Sequence, residues 1–221
     1  ALNDGNGTHI WASDDGLSWR HVTRVLAHGD NACLYADEAK GRYLLFHKFG
    51  GLHGLTSRRM WIGLESKDGK NWEGYEGIRQ WRGCLVADDY DDLVAQQRGC
   101  LHSEIYTTAV HRAGEVLVSM QSLIDVWSPL RQSFGQNANG LGHVRMGFSQ
   151  DGFNWRFPKG RPAWMELGAP GEYDAGFIEL SSGFVEDNDD LLLYYAGSRY
   201  RHGWSINPDF SLRTDIDRAD E

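Results

Sequence analysis

The 221-residue sequence has no apolar run approaching the ~18 residues of a membrane-spanning helix, so a helical membrane protein is not expected. Basic residues are in deficit, with 22 Lys and Arg against 31 Asp and Glu and a formal net charge of −9. Nucleic acids and anionic membranes attract surfaces of the opposite balance, so neither is expected as a partner. A neutral, sugar-like or small polar ligand suits this charge better. Cysteine is scarce: Cys33, Cys84 and Cys100 cannot all pair within one chain, and none has CxxC spacing. Three reduced thiols are the first expectation, and one disulfide is the alternative. No stretch of ten residues carries a persuasive helical period. Nucleophilic-serine motifs, phosphate-binding glycine loops and zinc spacings are missing too, so no metal or cofactor is expected. The segment Ala1 to Gly7 reads as a turn and not as a signal peptide. The compartment therefore stays open, with a secreted or periplasmic setting weighed slightly above the cytoplasm.

What the sequence does have is an ordinary globular share of apolar residues, 41%, together with 27 glycines and nine each of Trp, Tyr and Phe. Many tight turns and many aromatics suit short antiparallel strands. A repeat organises them. Ser13-Asp14-Asp15-Gly16-Leu17-Ser18-Trp19 recurs as Ser66-Lys67-Asp68-Gly69-Lys70-Asn71-Trp72 and as Ser149-Gln150-Asp151-Gly152-Phe153-Asn154-Trp155. The shared Ser-x-Asp-Gly-x-x-Trp joins two extended segments: Gly accepts positive φ and Asp bonds nearby backbone. A structural role is expected for these nine Ser, Asp and Trp positions. Strand pairs are readable at Cys33–Ala36 with Tyr43–Lys48, Ile105–His111 with Glu115–Gln121, and Phe177–Val185 with Leu191–Gly197. The first interval between repeats is about 50 residues, the length of a four-stranded propeller blade. The second is longer, and its surplus is assigned to loops at Val86–Leu101 and Ile124–Leu141. The expected fold is all-β: a β-propeller of four-stranded antiparallel blades, as one domain or fragment over residues 1–221.

At this point the sequence resembles the five-bladed propeller glycosidases of glycoside hydrolase families 32 and 43 and, more closely, bacterial proteins described as family-32-like. The matching stretches are Arg42-Tyr43-Leu44-Leu45-Phe46, Arg58 to Trp72, His102-Ser103-Glu104-Ile105-Tyr106, Arg145 to Trp155, Gly171 to Gly176, and Leu193 to Gly197 through His202-Gly203. The sialidase repeat has an extra residue between Asp and Gly, which all three copies here lack. Five blades are needed by such enzymes, and the sequence supplies repeats for three and part of a fourth. Either the chain is a fragment, or a second copy of it completes the ring as a homo-oligomer.

Glycoside hydrolysis ordinarily requires two carboxyl groups flanking the scissile bond. Asp30, Glu104 and Asp174 each sit just before or at the start of a blade's first strand, after the loop that follows a repeat Trp. The resemblance implies Glu104 as general acid from the third blade and Asp30 as the second-blade group that orients it or stabilises the transition state. Asp174 would line the pocket from the fourth blade. A first-blade nucleophile or base would lie upstream; Asn3 to Gly7 looks like such a motif but lacks its Pro and reads as a turn. His28, His102, Arg59, Arg145 and His202 are candidate substrate contacts, since imidazole and guanidinium groups bond sugar hydroxyls and tune an acid. Trp61, Trp81, Trp127, Trp164 and Trp204 are candidate sugar platforms or core residues. The run Asp88-Asp89-Tyr90-Asp91-Asp92 reads as a solvated loop, with cation binding as the alternative. The implied function is a glycoside hydrolase acting on a carbohydrate; a non-catalytic sugar-binding or interaction propeller is the rival.

Overall fold

The computed structural model describes residues 2–3, 7–25, 30–53, 56–73, 82–129 and 138–203. His28, Trp81, Trp204 and the polar segment 209–221 lie outside the described residues.

The repeated turns are built alike. In the third, Ser149 Oγ accepts from Gly152 N at 2.8 Å, and Asp151 Oδ1 accepts from Phe153 N and Asn154 N, both at 2.8 Å. Trp155 Nε1 donates back to the Gly152 carbonyl at 3.0 Å. The other copies repeat this pattern at Ser13, Asp15 and Trp19 and at Ser66, Asp68 and Trp72. Gly152 has φ +84° and Gly69 +72°, a region that a side chain at either position would strain. Backbone N–H groups aimed at the carboxylates hold Asp15 down at about 2; for Asp151, burial opposes the shift, but the same N–H bonds still win and hold it at about 2.

Each turn joins the same two strands of a sheet. The first sheet pairs β1 (Leu2–Asn3), β2 (Thr8–Ala12) and β3 (Arg20–Val25) in that order. A meander of β4 (Ala32–Asp37), β5 (Arg42–His53), β6 (Thr56–Ser66) and β7 (Arg82–Leu85) makes the second. After it comes a helix, α1 (Asp89–Gln97). The third sheet runs β8 (His102–Ala113), β9 (Val116–Pro129), β10 (Ala138–Ser149) and β11 (Trp155–Arg156), with β12 (Ala163–Met165) also on β10. In the last, β13 (Phe177–Leu180) pairs with β16 (Tyr195–Ser198), and β14 (Val185–Asp187) pairs with β15 (Asp190–Leu192) between them. Since the turn follows β2, β6 and β10, the first sheet matches the outer three strands of a blade and the last matches the inner two. β8 packs against β4 on one side and β13 on the other, so these three are the inner strands. The sheets do not close into a ring, and the fold is an incomplete β-propeller.

Apolar cores lie between neighbouring blades. Cys33, Leu44, Phe46, Trp61, Leu85, Ile105 and Leu117 form the one between the second and third sheets. Trp61 is fully buried there and its indole donates to the Ile105 carbonyl at 3.2 Å, so it is core and no sugar platform. The cysteines are free thiols, and burial pushes Cys33 up to about 12.

Two loop expectations are corrected. Val86–Leu101 contains α1, whose acidic start is its cap: Asp88 accepts from Tyr90 N and Asp91 N, and Asp91 reaches back to Asp88 N. Acidic side chains here satisfy free N–H groups and the positive end of the helix, which is why an Asp run opens a helix in place of a solvated loop. Ile124–Leu141 is mostly strand, because β9 runs on to Pro129 and β10 starts at Ala138.

Candidate functional site

The starts of the inner strands gather charged side chains around one tyrosine. Tyr106 is the extra residue of a β-bulge, since Ile105 pairs with Leu123 and Thr107 with Ser122. A bulge re-aims its side chain. The Tyr106 ring meets Phe177 at 5.3 Å and His202 at 4.9 Å, Lys48 Nζ sits 4.1 Å from its centroid, and the Arg59 guanidinium lies 5.4 Å away.

Glu104, two residues before Tyr106, is 2% exposed. Arg59 Nη1, from β6, donates to its Oε2 at 2.5 Å, and His102 Nε2 lies 3.1 Å from Oε1. Burial would raise this carboxyl, but the His102 bond and the Arg59 charge outweigh it and hold the group below its ordinary value. Asp30, just ahead of β4, pairs with Lys48 Nζ at 2.9 Å while remaining 80% exposed. Burial opposes ionisation of Asp30 as well, and the Lys48 ammonium prevails, lowering its pKa. Lys48 itself is nearly buried; desolvation pulls its pKa down against the pull of Asp30.

Of the residues expected from sequence, the structure thus brings together Glu104, Arg59, His102, Asp30 and His202. Two others stand apart. Asp174 bonds the Tyr195 hydroxyl at 3.3 Å, beside Tyr173, and no described hydrogen bond, ion pair or ring contact joins it to the Glu104 group. Arg145 is a correction: it is buried beneath α1, paired with Asp91, bonded through Nε to Gln121 at 2.9 Å and stacked 4.1 Å from the Phe157 ring. A guanidinium enclosed this way cannot reach a ligand at Glu104. Trp127 and Trp164 are half exposed, at 53% and 49%, and Arg201 lies 4.7 Å over the Trp127 ring.

Sequence reading missed Lys48 and Tyr106. Lys48 lies within β5 just after the run Leu44-Leu45-Phe46-His47, and a lysine after an apolar run was a usable sign of a charge taken inward. Among the described residues no group of His, Cys, Asp and Glu is arranged to hold a metal ion, and no helix is long and apolar enough to cross a membrane.

Solved structures share this architecture. An N-acetylgalactosamine deacetylase from F. plautii, in complex with blood group B trisaccharide, matches 94% of this chain and 51% of its own at TM-score 0.54 and 13% identity. A protein described as a glycoside hydrolase matches 86% of this chain and 50% of its own at 0.50 and 16% identity. A GH32 beta-fructofuranosidase of Bombyx mori matches 85% and 34% at 0.47 and 16% identity. The chain spans about half the length, or less, of these proteins. At such identities the likeness is one of fold alone. No protein-family model matches the chain, and no curated protein matches it.

Proposed function

We propose that the pocket around Tyr106 binds a carbohydrate and that the chain forms part of a glycoside hydrolase, with Glu104 as general acid and Asp30 in support. The observation that carries this reading is the setting of Glu104: almost wholly buried, at the head of an inner strand, and held by two side chains able to bond sugar hydroxyls instead. Arg59 keeps the carboxyl ionised. A hydroxyl that takes over the Arg59 donors would weaken that hold, and burial would then favour the protonated form that an acid needs. The proton passes to the glycosidic oxygen as the bond from that oxygen to the anomeric carbon breaks. Asp30, ionised beside Lys48, supplies negative charge to the developing cation. The partner carboxylate that the reaction also requires is not assigned among the described residues, and Arg145, enclosed beneath α1, has no part here.

Glu104→Gln is expected to lower turnover about a thousandfold on any active substrate within a panel of aryl furanosides, aryl pyranosides and sucrose. Its circular dichroism should match the unsubstituted protein. Unchanged turnover would end the assignment. The rival, a sugar-binding propeller without catalysis, is favoured by one observation, the Arg59 ion pair that keeps Glu104 unprotonated. It predicts quenching of Trp fluorescence by sugars with no turnover in either protein.

A further inference from the structure

The fourth sheet carries a carboxyl group that faces the same cluster of side chains around Tyr106. Glu179 lies on β13 two residues beyond Phe177, and alternate residues of a strand point from one face. From that face Phe177 packs on Tyr106, so Glu179 is directed to the Tyr106 and Lys48 side. Neighbouring bonds fix the strand there: Leu180 N donates to Thr107 Oγ1 at 3.2 Å, and Ser122 Oγ donates to the Ile178 carbonyl. The charges agree with this placement. Burial raises Glu179, with Lys48 and Asp30 the charges acting on it, and Glu179 is in turn the leading charge on Tyr106.

Glu179 is half-buried, yet it makes no hydrogen bond or ion pair among the described residues. A half-buried carboxyl group with acceptor capacity left over can take a hydrogen bond from a ligand's hydroxyl. Lys48 is already bonded to Asp30, so one ammonium faces two carboxyl groups. Counting Glu104, three carboxyl groups surround Tyr106 against the fixed positive charges of Lys48 and Arg59, with the imidazoles of His102 and His202 alongside. Such a pocket offers acceptors to hydroxyl groups and repels a further anion.

We propose that Glu179 is a positioning and specificity residue of this pocket: its carboxyl group bonds a hydroxyl of a neutral sugar, and its charge turns away a uronate. This rests on the carbohydrate reading of the site but not on catalysis. It deepens that reading by adding a group from the fourth inner strand and a selection by ligand charge.

Two matched pairs test it, glucose with glucuronate and galactose with galacturonate, each pair differing only at C6. Affinities are read by saturation-transfer NMR for the unsubstituted protein, Glu179→Gln and Glu179→Ala. The unsubstituted protein should bind the neutral member of at least one pair about tenfold more tightly than its uronate. Both variants should narrow that ratio to about threefold or less, with unchanged circular dichroism; a purely structural role for Glu179 would weaken both members together. An unchanged ratio in the variants, a preference for uronates in the unsubstituted protein, or no binding of any of the four sugars overturns the proposal. A ratio left unchanged by the Glu179 variants, alongside a turnover defect in Glu104→Gln, would remove Glu179 and leave the hydrolase. The reverse outcome would keep Glu179 and remove the hydrolase.

Discussion

Two buried arginine–carboxylate clusters sit on either side of the third blade's inner strand, and they do different work. Under α1, Arg145 joins Asp91, while Arg161 bonds Asp91 and Asp88, each at 2.6 Å. Arg58 grips Asp92 at 2.9 Å beside them. At the pocket, Arg59 grips Glu104 at 2.5 Å. Burial and pairing are alike; the surroundings are not. Arg145 is shut in by Gln121 and Phe157, so its charge fastens the helix to the blades. Arg59 and Glu104 share their space with His102, Lys48 and Tyr106, which keep bonding capacity for something else. A buried ion pair is therefore no mark of function. What sets the Arg59 group apart is its access to solvent: Asp30 beside it is 80% exposed, whereas Arg145 and Asp91 are enclosed.

The comparison breaks first under Arg145→Met. This leaves the Asp91 carboxylate buried with Arg161 as its remaining cationic partner, and should lower stability by about 3 kcal/mol in urea denaturation at pH 7. A loss under about 1 kcal/mol would show that Arg145 does not fasten α1. Arg59→Met should cost roughly half as much, because Glu104 can relieve the loss by taking a proton. The sign follows from the lowered pKa of Glu104. Its ion pair stabilises the protein above the ordinary glutamate value of 4.5 and is lost as pH falls through the lower folded value. Without Arg59, burial dominates and the folded pKa rises, so acidification favours the variant. The gap in urea midpoint between the two proteins should therefore narrow from pH 7 to pH 4.5, and a constant gap would deny the coupling. The smallest effect is at the turns. Asp151→Ala removes two N–H acceptors, and a fall in Tm of about 3 °C is expected by calorimetry. Since Asp151 is held at about 2, that difference persists above the ordinary value of 3.8 and fades as pH drops toward 2.

Much of the fold could be read in advance, and the reason is locality. Every bond of the repeated turn, from Ser149 to Trp155, closes within three residues. The inner hairpins were readable as paired extended segments, and Arg59 and His102 were named as candidates for their bonding chemistry, beside the Glu104 that the family resemblance implied. Arg145 was misread because an arginine on a strand bordering the repeat looks the same whether it faces a pocket or Asp91, 54 residues away. The acidic run of α1 was misread for the same cause: its arginine partners are distant in sequence, and a nine-residue helix shows little period.

The sequence by itself determined the blades, through turns whose donors and acceptors are neighbours in the chain. Only the tertiary structure decided the cluster around Tyr106. Arg59 and Glu104 are 45 residues apart, and Tyr106 is aimed by a bulge that depends on how β8 registers against β9. Glu179 joins them from a third sheet only because β13 docks on β8. Local hydrogen bonds follow from residue type and spacing; a pocket between blades depends on register and packing across sheets, which no short stretch of sequence contains.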